Sequence, residues 1–189
     1  MYTLRKADKS DTRKVFELYQ RVTKAMPGGI ARDYNEITDE YVQNFMQESS
    51  AYGLEFIIDN PDNKDEIIAE IHCHKMGPKV FDHIFSDLTI VIDPRFQGKG
   101  IGKIIFLHLL DHIKNSRPDI LRVELVVKES HTGARALYSK IGFVAEGRFE
   151  KRFRMPDGSY DTDIPMVWMN TSFDKNFRTE LTEKMRNKK

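Results

Sequence analysis

The chain of 189 residues has a single cysteine, Cys73, so no disulfide can form within it and no cysteine-based zinc cage can be built. Neither sign of charge is in excess: 30 Lys and Arg stand against 29 Asp and Glu, a formal net charge of +1. That balance supplies neither a basic field to attract nucleic acid nor an acidic run that would stay solvated. Long apolar runs are also missing, and none approaches the roughly 20 residues that cross a bilayer. The opening Met1-Tyr2-Thr3-Leu4-Arg5-Lys6 leads into no apolar signal core. The expectation is a cytoplasmic protein in a reducing compartment, with no membrane and no nucleic-acid partner. There is no internal repeat and no low-complexity linker, and the length suits one domain with a real core. Residues 1–170 are expected to form that domain. Residues 171–189 are a charged tail that reads as a solvated helix.

What is present is ordinary for a globular chain, 40% hydrophobic and 31% charged. Tyr2 to Arg5 reads as a first strand. Asp8 or Ser10 can cap a helix to about Met26, with Val15, Leu18, Tyr19 and Val22 as its apolar stripe. Thr38 opens a second helix carrying Tyr41, Val42, Phe45 and Met46 on one side. Leu54 to Asp59 and Glu66 to His74 read as a hairpin around the turn Asn60-Pro61-Asp62-Asn63. Ser86 to Ile92 is a strand stopped by Asp93-Pro94, and Gly100 to about Asn115 is helical. Leu121 to Val127 is a strand, Thr132 to about Ile141 a helix that Gly142 can cap, and Phe143 to Phe153 and Ser159 to Met169 a final hairpin. Pro165 in the last strand implies an edge or a bulge. Helices interleaved with strands predict an α/β protein (α+β in its mixed sheet), with a central mixed β-sheet and helices on both faces.

The most informative stretch runs from Ile90 to Lys103: a strand, then Gln97-Gly98-Lys99-Gly100-Ile101-Gly102-Lys103 entering a helix. Glycines let backbone N–H groups converge on an anion, the helix N-terminus adds partial positive charge, and Lys99 and Lys103 add formal charge. A phosphate or pyrophosphate suits such a turn, although glycine-rich turns before helices also occur without a ligand. Two rival motifs fit poorly. A Walker A loop needs Ser or Thr after Gly-Lys, where this chain has Ile104. The dinucleotide fingerprint needs a wider gap before its third glycine than Gly98, Gly100 and Gly102 leave.

This segment resembles motif A of the GNAT superfamily of N-acetyltransferases (Gln or Arg, two residues, Gly, one residue, Gly or Ala), matched by Gln97, Gly100 and Gly102. Ala134-Arg135-Ala136-Leu137-Tyr138-Ser139-Lys140-Ile141-Gly142-Phe143 independently resembles the Ala-x-x-Leu-Tyr-x-Lys-x-Gly-Phe block of the same family. The resemblance covers about Leu4 to Met169 and implies the GNAT-type acyl-CoA acyltransferase fold. It also implies direct transfer of an acetyl group from acetyl-CoA, a cosubstrate, to a primary amine. The acceptor would be a small molecule, an amino acid, a polyamine or a peptide N-terminus, and a homodimer through an edge strand is compatible with the fold. A catalytically silent acetyl-CoA sensor of the same fold is the alternative, and a nicotinamide-dependent oxidoreductase is disfavoured by the glycine spacing.

The same resemblance implies the site residues. The backbone of Ile90, Val91 and Ile92, at the strand end where the family's fourth strand splays from its fifth, would hold the coenzyme and stabilise the oxyanion; their side chains read as core. Gln97, Gly98, Lys99, Gly100, Ile101, Gly102 and Lys103 would hold its pyrophosphate. Ala134 opens the second block, and His131 stands where the family usually has a coenzyme-binding Asn. Tyr138 matches the tyrosine that protonates the leaving thiolate, though it could also be core on the face of Ala134 and Ile141. For removal of the amine's proton, alone or through water, the expected residue is Asp87, which stands where relatives often have Glu, with two histidines as the competing choice. His72 and His74 share one strand face and titrate near neutral pH. Glu124, Glu129 or ordered water are weaker choices. His108 and His112 are four apart, a spacing that can hold a metal, but no Glu follows His108; they read as structural and no metal is expected. Cys73, on the opposite strand face from His72 and His74, reads as inert core.

Overall fold

The computed structural model describes residues 2–174 and residue 177. Eight strands form one sheet: β1 (Leu4–Lys6), β2 (Gly53–Asn60), β3 (Asn63–Lys75), β4 (Ile84–Ile92), β5 (Arg122–Lys128), β6 (Val144–Ala145), β7 (Phe149–Arg154) and β8 (Tyr160–Met169). Their order is β1-β2-β3-β4-β5-β8-β6, with β7 also paired to β8. Every pairing is antiparallel except β4 with β5, so the sheet is mixed, as the alternation of strands and helices predicts.

Among the described residues, four α-helices cover the two faces. α1 (Thr12–Ala25) and α2 (Asp39–Tyr52) pack on one face against Ile57, Ile67 and Val91. α3 (Ile101–Ser116) and α4 (Thr132–Lys140) close the other, against Phe56, Ile71, Cys73, Leu125 and Met166. The helical stripe of α1 is realised residue for residue: Val15, Leu18, Tyr19 and Val22 are all buried. Each large aliphatic side chain so buried contributes about 1.5–3 kcal/mol. Asp8 caps a short 3-10 turn ahead of α1 by accepting from the Ser10 N–H, and Thr38 caps α2 by accepting from the Tyr41 N–H.

Two expectations are corrected. The segment from Phe143 to Phe153 is not one strand: β6 and β7 are separate pieces lying along the same side of β8. Pro165, in turn, is neither on an edge strand nor in a bulge of its own strand. It lies inside β8 opposite Val126 of β5, and its carbonyl accepts from the Glu146 N–H on the far side. The missing Pro165 N–H therefore faces the gap between β6 and β7, where no ladder bond is needed. Of the tail, residues 171–174 follow β8 as a turn and extended chain, and most of the expected solvated helix lies outside the described residues.

Candidate active site

The site originates in a defect of the sheet. β4 and β5 pair only at Ile84↔Arg122 and Phe85↔Val123, and beyond these the parallel strands part. β4 keeps its ladder with β3 as far as Ile92, and β5 keeps its ladder with β8 as far as Lys128. The β4 backbone past Phe85 thus has a strand on one side only. Ile90, Val91 and Ile92 lie here as expected, with Val91 buried toward α1 and Ile90 packed on the opposite core.

At the parting point β4 also carries a bulge. His72 pairs with Thr89 and His74 with Ser86, so Asp87 and Leu88 oppose Cys73 alone. Asp87 takes up the extra length at φ 52, in the left-handed region that few residues other than glycine and Asp or Asn enter. Its carboxylate then lies 3.4 Å from His74 Nε2, which is also 3.1 Å from Glu48. Two rivals for one role are therefore a single pair. The hydrogen bond from His74 holds the Asp87 carboxyl below the usual range, and the same contact raises the His74 imidazole.

β4 is followed by Asp93, whose backbone N–H donates to the Ile68 carbonyl and whose buried carboxylate accepts from the Arg95 backbone, the Arg95 side chain and Arg21. The turn that follows places Gly98 at φ 72 and Gly100, the N-cap of α3, at φ 77. A Cβ at either would meet nothing within 4 Å, so both glycines are required by conformation and the space above them is open. Ile104 N–H is bonded back to the Gly100 carbonyl; by helix geometry the N–H groups of Ile101, Gly102 and Lys103 before it have no partner in the helix. Gly102 is needed for packing instead. A Cβ there would stand 2.9 Å from Ile92 Cδ1, so its absence lets α3 close onto β4. Ile101 is core, and Lys99 and Lys103 are exposed beside the turn. The Gln97 side-chain amide donates to the Ile92 carbonyl, tying the turn to the strand end.

Two connected hollows open into the gap. A cleft of about 600 Å³ is lined by Phe45, Glu48, His72, His74, Asp87 and Glu124, among others. A narrower channel of about 180 Å³ runs between the parted strands, past Ile90, Val127, Lys128, His131 and Tyr138. Ile30, Ala31, Leu88, Thr89, Leu125 and Val126 line both, so the hollows meet where the strands diverge. Lys128 braces the channel by donating to the Gly28 carbonyl, with its ammonium 3.9 Å from the Phe153 ring centroid. His131 precedes α4 and borders the channel, whereas Ala134 packs against the core instead.

Tyr138 belongs to the core and also reaches the channel. Its ring packs on Phe106 and Phe143, with centroids 5.2 Å and 6.1 Å away, yet it borders the channel. Burial pushes its phenol up to about 12, so it keeps its proton at neutral pH. Glu124 is held 2.8 Å from Arg122, and Glu129 pairs with Arg148 outside both hollows. His108 and His112 stand edge-on to Phe56, and no cluster of three or more metal-ligating residues occurs among the described residues. Cys73 is core, with burial raising its thiol well above the usual range.

Residues the sequence reading missed are Leu88 and Thr89, at the junction of the hollows, and Glu70, which meets His72 beneath the cleft. None sits in a local motif.

A mixed sheet opened between two parallel strands, with a glycine-rich turn and a helix N-terminus at the end of one of them, is a fold with room for an extended ligand in the gap. Residues 15–143 match the model of the acetyltransferase (GNAT) family, and the chain belongs to that family. A ribosomal protein bS18-alanine N-acetyltransferase from Salmonella typhimurium is 35% identical over 55 residues, 29% of this chain. That match spans only 36% of the relative's own length. The enzyme of the same name from Haemophilus ducreyi is 27% identical over 55% of this chain and 67% of its own length. Among solved structures, the GNAT-family acetyltransferase from Streptococcus pneumoniae superposes with a TM-score of 0.79 at 21% identity, over 89% of this chain and 99% of that one. A phosphinothricin acetyltransferase from Sinorhizobium meliloti, in complex with acetyl-CoA, superposes with a TM-score of 0.76 at 18% identity, over 91% and 90%.

Proposed function

We propose that the protein transfers the acetyl group of acetyl-CoA to a primary amine by direct attack. The observation that carries this reading is the junction of the two hollows. A narrow channel between the parted strands meets a wider cleft at the point where β4 loses its β5 partner, and the glycine-rich turn follows the end of β4. The names of the curated relatives suggest a peptide N-terminus as acceptor. The coenzyme's pyrophosphate would sit on the backbone N–H groups of the turn from Gln97 to Lys103. Its pantetheine arm would take the ladder positions that β5 leaves empty along Ile90 to Ile92, passing His131. The thioester would then lie near Leu88, with the amine approaching from the cleft.

In this reading Asp87 holds the incoming ammonium. A carboxylate kept below its usual pKa is a good counter-ion and a weak base, so its role is capture. Asp87→Asn should raise KM for the amine about three- to tenfold, the scale of an exposed ion pair, with a smaller change in kcat. A change confined to kcat would remove Asp87 from the amine site. The function itself is tested by thiol release from acetyl-CoA in the presence of a panel of amines, including an alanine-first peptide and spermidine. No release above the amine-free rate with any of them would overturn it.

The coenzyme turn gives a second check. Gly100→Asp places a carboxylate over the open space where the pyrophosphate would sit, and strands an L side chain at φ 77. Acetyl-CoA affinity should fall more than tenfold, about 1.4 kcal/mol or more. Calorimetry on the folded variant reads it, and equal affinity would move the pyrophosphate elsewhere.

A further inference from the structure

Beneath the cleft lies a row of polar side chains that acetyl-CoA binding does not explain. His72 Nδ1 is 2.9 Å from Glu70 Oε1, and the Tyr19 hydroxyl donates to Glu70 Oε2 at 2.8 Å. Glu70 is completely buried between α1 and the sheet, and His72 is almost so. The imidazole is stacked flat on Phe45, with centroids 4.2 Å apart and planes 12° apart. The row is thus fixed from α1 and α2 as well as from β3, and the ring cannot turn without breaking its stack. The His72 side chain lines the cleft, and no protein group among the described residues hydrogen-bonds to its Nε2.

We infer that His72 is the general base that takes the acceptor amine's proton, with Glu70 as its positioning residue and Tyr19 holding Glu70 in place. The inference rests on the acetyl-transfer reading above. A Glu70 carboxylate accepting from Nδ1–H fixes the tautomer that leaves Nε2 bare toward the cleft, and it stabilises the imidazolium once formed, the logic of the histidine in hydrolase triads. The steps balance. The ammonium held near Asp87 gives one proton to His72 Nε2, and the freed nitrogen lone pair attacks the thioester carbon. The C–N bond forms and the C–S bond breaks; the thiolate takes the Tyr138 proton, and the second amine proton restores Tyr138. The proton on His72 leaves to solvent through the cleft.

The titratable groups around His72 are Glu70 and His74 on β3, Glu55 on β2, Asp87 on β4, Tyr19 on α1, and Tyr41 and Glu48 on α2. Glu55, directly opposite His72 in the ladder, is pushed up to about 9 by burial and by the neighbouring Glu70 and Asp11.

The test uses the full chain and whichever amine of the panel is acetylated fastest. For His72→Gln, kcat/KM at pH 7 should fall about 10²-fold. The deficit should narrow as pH rises past the acceptor's own pKa, about 8 for a peptide N-terminus and about 10 for an alkyl amine, where the amine loses its proton unaided. Glu70→Gln gives a separate reading. The Tyr19 hydroxyl claims the new amide oxygen, so the amide nitrogen faces His72 Nδ1 and drives the proton to Nε2. Nitrogen NMR of histidine-labelled protein should show a bare Nε2 in the wild type and a protonated Nε2 in Glu70→Gln. That measurement needs no acceptor and decides the matter if His72→Gln does not fold. A folded His72→Gln with the wild-type rate–pH profile, or a wild-type Nε2 that carries the proton, overturns the assignment. If the wild type acetylates no amine of the panel, the acetyl-transfer reading falls and this inference with it. Transfer that His72→Gln leaves unchanged sinks only this inference.

Discussion

Tyr138→Phe is expected to lower kcat by about 10²-fold or more, while acetyl-CoA affinity and Tm stay near their wild-type values, because only a general acid is lost. The ring is held by Phe106 and Phe143, and those contacts survive the substitution. The hydroxyl contributes nothing comparable to the fold: burial alone shifts its pKa, with no hydrogen bond among the causes. A phenol pushed up to about 12 keeps its proton throughout the neutral range. It can therefore donate to a departing thiolate without first having to capture a proton. Steady-state rates should be paired with single-turnover rates, so that slow product release does not mask the chemical step. Unchanged single-turnover rates, with Tm also unchanged, would make Tyr138 a core aromatic that happens to border the channel.

How much of this is legible in the sequence depends on the range of the signal. The stripe of α1, the Asn60 to Asn63 turn and the glycine-rich entry to α3 are local patterns, set by 3.6-residue periodicity, turn chemistry and left-handed glycines. Each is readable from a window of a few residues. Gly102 is readable as part of the turn but not as a packing glycine, because Ile92 meets it across two elements. The parting of β4 from β5 leaves no mark in either strand, since both are apolar runs whatever their partner. The bulge that turns Asp87 toward His74 is a register property of two strands and is likewise invisible in one. The row Tyr19, Glu70 and His72 shows the limit most clearly. Tyr19 reads as one more apolar position of a helix, and Glu70 as a polar residue in a strand 51 residues away. Only folding brings them together. Pro165 shows the opposite case, a correct local constraint met by an unforeseen solution, since the break lies in the neighbouring strand.

Asp93→Ala should cost about 2–3 kcal/mol of stability and loosen the turn before α3 as well. The Asp93 carboxylate is 1% exposed. It accepts from Arg21 Nε at 3.0 Å, from Arg95 Nε and the Arg95 backbone N–H at 3.0 Å each, and from Arg95 Nη2 at 2.7 Å. Removing one partner of a fully buried ion pair costs about 3–5 kcal/mol. The figure here is smaller because Arg21 and Arg95 are 28% and 53% exposed and can recover water. Burial alone would raise this carboxyl, but the hydrogen bonds from Arg95 and Arg21 outweigh it and hold the carboxyl below the usual range. A depressed native pKa contributes stability that is present above the unfolded value of about 3.9 and is lost as pH falls through the native value. The gap between wild type and Asp93→Ala in urea midpoints should therefore be widest near pH 7 and narrow in acid. The same carboxylate anchors Arg95 at the head of the turn that presents Gly98 and Gly100, so acetyl-CoA affinity should fall several-fold even where the variant is fully folded. Equal midpoints at pH 7 would show that the two arginines find other partners. A stability loss with unchanged affinity would show that the turn keeps its shape through the Gln97 bond to the Ile92 carbonyl alone.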